Sequence, residues 1–141
     1  MGHIFFIAPN EDSNIDEIAN WTLYWLLEHD LVPDTAIYTC QTLRQATVAL
    51  EAPLNIGEAP ALVVLDHEEP PKPETVEFAK NLRNCIPESW VIEMVPPSMP
   101  LPEADGDQFW IRKPVRKEEW LSVLEHVFLR ASTPQWSETE R

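Results

Sequence analysis

Glycine is scarce: Gly2, Gly57 and Gly106 are the three in the chain, and none makes a loop that could cradle a phosphate. Cysteine is scarcer still. Cys40 and Cys85 lie inside apolar segments and read as reduced core residues; without a nearby pair of histidines they do not make a zinc site. Basic residues are few, 10 Lys and Arg against 24 Asp and Glu, for a formal net charge of −14. Neutralising phosphates requires clustered cations, so this balance excludes unaided binding of DNA or RNA and disfavours anionic membrane surfaces. It favours basic partners. No apolar run approaches the roughly 18 residues of a spanning helix. No basic region precedes the apolar start Ile4-Phe5-Phe6, so a signal peptide is not expected and the expected compartment is the cytoplasm.

What is present suits one domain with a sizeable core. The chain has 141 residues, 44% of them hydrophobic. Apolar runs read as strands at residues 4–8, 35–40, 61–66, 90–95 and 108–112. Helical spacing or composition marks 15–29, 43–50, 74–85 and 116–129 as helices. The second helix is expected to end near Pro53. The domain spans 1–130, and 131–141 is a polar tail. Strand and helix alternate without an internal repeat. That rhythm predicts an α/β fold with right-handed crossovers: a flavodoxin-like, doubly wound five-stranded parallel sheet in the order 2-1-3-4-5.

The rhythm fails once. Residues 96–102 hold four prolines in seven positions, at 96, 97, 100 and 102, which no ordinary helix can span. The fourth helix of such a fold is therefore expected to be missing or degenerate, and 96–107 to form an extended, polyproline-II-like loop. Two readings of it stand: an interaction surface in which Met99, Leu101 and Trp110 meet a partner, or a short connection that packs Met99 and Leu101 inward.

The chemistry concentrates at Ala61-Leu62-Val63-Val64-Leu65-Asp66, five apolar residues ending in a carboxylate and followed by His67-Glu68-Glu69-Pro70. A run buried on both faces is a central parallel strand, and in such sheets ligands bind beyond the carboxyl ends. Asp66 is delivered to that edge, although an Asp there can equally begin a turn. The fifth strand similarly delivers Lys113-Pro114. His67 is either a base or metal ligand beside Asp66, or a solvated or hydrogen-bonded strand-end histidine.

The segment from Leu62 to Pro70 resembles the phosphoacceptor segment of the receiver domain of bacterial two-component response regulators, and Ile111-Arg112-Lys113-Pro114-Val115 resembles the Lys-Pro segment ending that family's fifth strand. The likeness spans about residues 3–129. It implies a non-enzymatic signalling domain of a phosphorelay, with Asp66 as phosphoacceptor, Lys113 on the phosphoryl oxygens, Val95 and Trp110 at the switch positions, and a histidine kinase or downstream effector as partner. Departures from the pattern modify this. Ala8 and Pro9 stand where the resemblance implies two metal-binding acids, and Val95-Pro96 where it implies a hydroxyl. The expectation is an atypical, pseudo-receiver domain with reduced or no phosphorylation. The alternative is a working phosphoacceptor in which Glu11 and Asp12 join Asp66 and Glu68 around magnesium, the one cofactor in question. Glu11, Asp12 and Ser13 also fit as caps of the first helix. A rival of another class is a small flavodoxin-like enzyme or nucleotide binder using Asp66 and Lys113.

Overall fold

The structure, a computed structural model, describes residues 2–9, 13–31, 34–99 and 108–129, with Gln108 and Phe109 described by backbone alone. Five strands, β1 (Gly2–Ile7), β2 (Thr35–Cys40), β3 (Leu62–Asp66), β4 (Trp90–Val95) and β5 (Gln108–Arg112), form one all-parallel sheet in the order β2-β1-β3-β4-β5. The helices are α1 (Ile15–Glu28), α2 (Leu43–Asn55), α3 (Pro73–Cys85) and α4 (Lys117–Leu124), the last continued by a π-helical turn over Glu125–Leu129. This is the flavodoxin-like arrangement. Among the described residues no helix stands between β4 and β5.

Side chains alternate across each strand, so the sheet has two distinct faces. Ile4, Phe6, Leu62, Val64, Ile92, Met94 and Ile111 pack with Ile18, Trp25 and Leu26 of α1 and with Trp120, Val123 and Leu124 of α4. Phe5, Ile7, Val63, Leu65 and Val91 pack with Ala46 and Leu50 of α2 and with Ala79 and Leu82 of α3. All five residues of β3 are buried, because it lies between β1 and β4 with helices on both faces. That is why its sequence is a continuous apolar run rather than an alternating one. One polar link ties α1 to α4: Trp120 Nε1 donates to Thr22 Oγ1 at 2.8 Å, and that hydroxyl donates to Ile18 O at 2.9 Å.

Four local expectations need correction. α2 does not stop before Pro53 but carries it, buried, in its last turn and runs on to Asn55; a proline that late removes one hydrogen bond near the helix end. The α-helical part of the last helix ends at Leu124 and a π turn covers the rest of the expected span. Cys85, at the end of α3, is exposed, whereas Cys40 is buried and burial raises its thiol pKa. The sequence of the first helix reads as an apolar stripe widened by Trp21 and Tyr24, but Tyr24 turns outward on α1. The proposed tail, 131–141, lies outside the described residues.

Candidate functional site at the carboxyl end of β3

The site forms where β3, β4 and β5 end together. The ladder continues one residue past two of those ends: His67 N donates to Met94 O at 3.0 Å and Lys113 N to Val95 O at 2.9 Å. This register fixes Asp66 and Lys113 beside one another. Lys113 Nζ lies 2.7 Å from Asp66 Oδ1 as an ion pair and donates to the carbonyl of His67 at 2.6 Å. Asp66 has no accessible surface and the lysine side chain little (0% and 18%), so the pair works in a low dielectric where each charge depends on the other. The Asp66–Lys113 approach expected from sequence is therefore present. The peptide bonds Glu69-Pro70 and Lys113-Pro114, flanking the site, are cis.

His67 is neither solvated nor free. Its ring is fully buried, and Nε2 lies 2.6 Å from Glu93 Oε1. Glu93 is itself buried on β4, and its Oε2 pairs with the guanidinium of Arg83 on α3. An ionised carboxylate can only accept, so the imidazole proton belongs on Nε2, and Nδ1 has no hydrogen-bond partner among the described residues. Burial holds the His67 pKa below its ordinary 6.5; Glu68 and Asp66 push it up, and Lys113 and Arg83 push it down. Arg83 in turn lies over the indole of Trp110, 4.6 Å from the ring centre. Burial lowers the Arg83 pKa from its ordinary value.

Sequence reasoning missed Glu93 and Arg83. A signal existed: Trp90-Val91-Ile92-Glu93-Met94-Val95 places an acid inside a strand otherwise fit for burial on both faces, and a buried acid implies a partner.

The other expected site residues fall out variously. Val95 is fully buried at the end of β4 and offers no hydroxyl. Trp110 is buried beneath Arg83, which corrects its expected place on an interaction surface. The physical reason is register: Trp110 pairs with Glu93 across β4–β5, and the guanidinium drawn to Glu93 covers the ring. Met99 is half-buried and Leu101 lies outside the described residues. At the start of the proline run, the expected extended geometry gives way to a turn, with Met99 N donating to Pro96 O at 3.0 Å. Arg112 holds that turn through its Nη1, which lies 3.0, 3.3 and 2.6 Å from the carbonyl oxygens of Pro96, Pro97 and Met99. The carbonyls of Pro96, Pro97 and Met99 are thus already used. Ser98 Oγ also donates to Glu69.

Magnesium needs several oxygens around it. Glu11 and Asp12 lie outside the described residues. Ala8 and Pro9 supply no side-chain oxygen, one Asp66 oxygen contacts Lys113, and Glu68 Oε2 accepts from Thr75 Oγ1 at 3.0 Å. Among the described residues no group of three or more His, Cys, Asp or Glu is placed to hold a metal ion. Ser13 Oγ accepts from Ile15 N at 3.1 Å, but the N-cap of α1 is Asn14, whose side chain makes no capping bond. A cavity of about 510 Å³ opens beyond the ends of β1 and β2, beside Ser13, Asp16, Gln41 and Thr42; neither Asp66 nor Lys113 lines it.

No protein-family model matches the chain, and no curated protein matches it. A solved structure titled "Crystal structure of putative lipoprotein from Peptoclostridium difficile 630 (fragment)" covers 93% of this chain and 97% of its own, with 10% identity and a TM-score of 0.49. A likeness that slight carries no argument about this chain. No helix among the described residues is long and apolar enough to cross a membrane.

Proposed function

We propose that this chain is a pseudo-receiver: a receiver-like, non-enzymatic signalling module of a two-component phosphorelay that works by protein–protein contact in the bacterial cytoplasm, with a histidine kinase or downstream effector as partner. One observation carries the reading. Asp66, at the end of the central strand, is fully buried and already paired with Lys113 at 2.7 Å. A carboxylate used as a nucleophile needs room for the incoming phosphorus and a way to offset the developing charge. Here the ammonium that would offset that charge is engaged with the carboxylate itself and with the His67 carbonyl. The neighbouring positions agree, since Ala8, Pro9 and Val95 bring neither carboxylate nor hydroxyl.

The reading is tested by incubating the full chain with acetyl phosphate and magnesium and recording intact mass. The expected result is no phosphoryl adduct. An adduct that disappears in Asp66→Asn would instead establish a working phosphoacceptor.

A further inference from the structure

The sheet order leaves β2 and β5 as its edge strands, and the two are built differently. β5 ends in Arg112, whose guanidinium holds the turn at Pro96–Met99. β2 is Thr35-Ala36-Ile37-Tyr38-Thr39-Cys40, with neither charge nor proline, and it pairs with β1 in unbroken register. Sheet edges are usually blunted by a charge, a proline, a bulge or a short strand, and β2 has none of these. Gly2 N donates to Asp34 O and Ala8 N to Cys40 O, so the even-numbered residues turn their backbone groups to β1. The N–H and C=O of Thr35, Ile37 and Thr39 then point away from the sheet. Among the described residues no hydrogen-bond partner meets them.

Apolar surface flanks this edge on both faces. On the α2 side Tyr38 is 40% exposed and stacks on Phe5, with 4.8 Å between ring centres. On the α1 side Leu23 and Leu27 are 39% and 50% exposed. Trp21, Trp25 and Glu28 line a groove against Lys117 and Leu121 of α4, so helical geometry turns Leu23 and Leu27 the other way, towards β2.

We propose that β2 pairs antiparallel with β2 of a second copy of this chain, about a two-fold axis normal to the sheet, so that the two sheets become one. Charge and symmetry select this occupant. A net charge of −14 opposes self-association over most of the surface, but β2 brings no like charge to the contact. Nor does it offer a carboxylate for a basic peptide to read. A register centred on Ile37 sets Thr35 of one copy opposite Thr39 of the other, so the outward N–H and C=O groups meet in reciprocal pairs. It sets Asp34 opposite Cys40 rather than opposite itself. The two-fold axis keeps each face on its own side, so the Leu23 and Leu27 flanks meet their own counterparts. An edge of about 20 Å, through a sheet and two helix layers of about 10 Å each, offers roughly 600 Å² per copy. Two copies reach the roughly 1,200 Å² at which stable interfaces begin.

The dimer does not rest on Asp66, so its failure and that of the pseudo-receiver reading are separate results. Sedimentation velocity of the full chain, from about 1 to 100 µM, is expected to show a species of twice the chain mass. Amide hydrogen exchange of Ile37 and Thr39 is expected to slow by about tenfold or more as that species fills. Thr39→Pro removes an outward donor that the fold itself does not use. It is expected to return the monomer, with Ile37 exchanging fast and the circular dichroism spectrum unchanged. If Thr39→Pro fails to fold, Leu27→Glu decides: it sets like charges across the two-fold axis from an exposed position, and the monomer is again expected. Val48→Glu, on the exposed side of α2, is expected to remain dimeric. A monomer throughout the concentration range, a dimer that survives both substitutions at the edge, or growth beyond two copies overturns the proposal.

Discussion

On the side of α1 and α4, short of the Asp66–Lys113 pair at the strand ends, the sheet is covered by hydrocarbon and aromatic side chains, with a buried hydroxyl–indole bond between Thr22 and Trp120. On the side of α3, β4 and β5 carry a carboxylate and an indole, and the helix answers with a guanidinium. The first face is held by non-directional burial, which tolerates exchange of shape for shape. The second adds to its apolar packing against α2 and α3 charges that must be matched one to one, because an unpaired buried ion is expensive. It lies beside the connection where no helix follows β4 among the described residues.

The contrast can be broken most severely at Trp120, which is fully buried. Trp120→Ala is expected to destabilise by about 4 kcal/mol in chemical denaturation, through lost burial and the cavity left behind. On the other face Glu93→Gln strands Arg83 and is expected to cost about 3 kcal/mol. Replacing Glu93 and Arg83 together by apolar residues should recover much of that loss. Failure of the double replacement to recover stability would mean that the pair is more than a matched charge.

Smaller effects sharpen the comparison. Thr22→Val, which keeps shape but leaves the Trp120 N–H unpaired, should cost about 1–2 kcal/mol. The His67 effect is one of pH. Its pKa is lowered in the fold, so below the ordinary 6.5 the unfolded chain takes up a proton that the folded chain resists. Its contribution to stability is complete above 6.5 and declines as pH falls towards the lowered value. His67→Gln should flatten that part of the profile relative to the unaltered chain. The smallest expected effect is that of magnesium, for which calorimetric titration should give little or no heat. Sub-millimolar binding lost in Asp66→Asn would overturn that expectation, and loss in Glu11→Gln or Asp12→Asn would name the residues responsible.

The sheet was legible because its strands announce themselves. The run 61–66 could be placed as a central strand from its lack of alternation, and β2, β4 and β5 were placed to the residue. The meeting of Asp66 and Lys113 was legible for the same reason, since each closes a strand of known order. What escaped was sideways in space. Nothing in the spacing of Glu93, Arg83 and Trp110 along the chain says that they stack, because α3 meets β4 through tertiary packing and register. Pro53 misled because its interruption of a helix costs less in the last turn than in the interior. The proline run misled because Arg112, read only as part of a strand, supplies the donor that folds its first residues into a turn.

The central claim is that Asp66 is held by Lys113 rather than kept open for chemistry, and a double-mutant cycle measures this directly. Unfolding free energies of the unaltered chain, Asp66→Asn, Lys113→Met and the double variant should show a coupling of about 1–3 kcal/mol between the two positions. Additivity within about 0.5 kcal/mol would contradict the account, because it would mean that neither charge depends on the other.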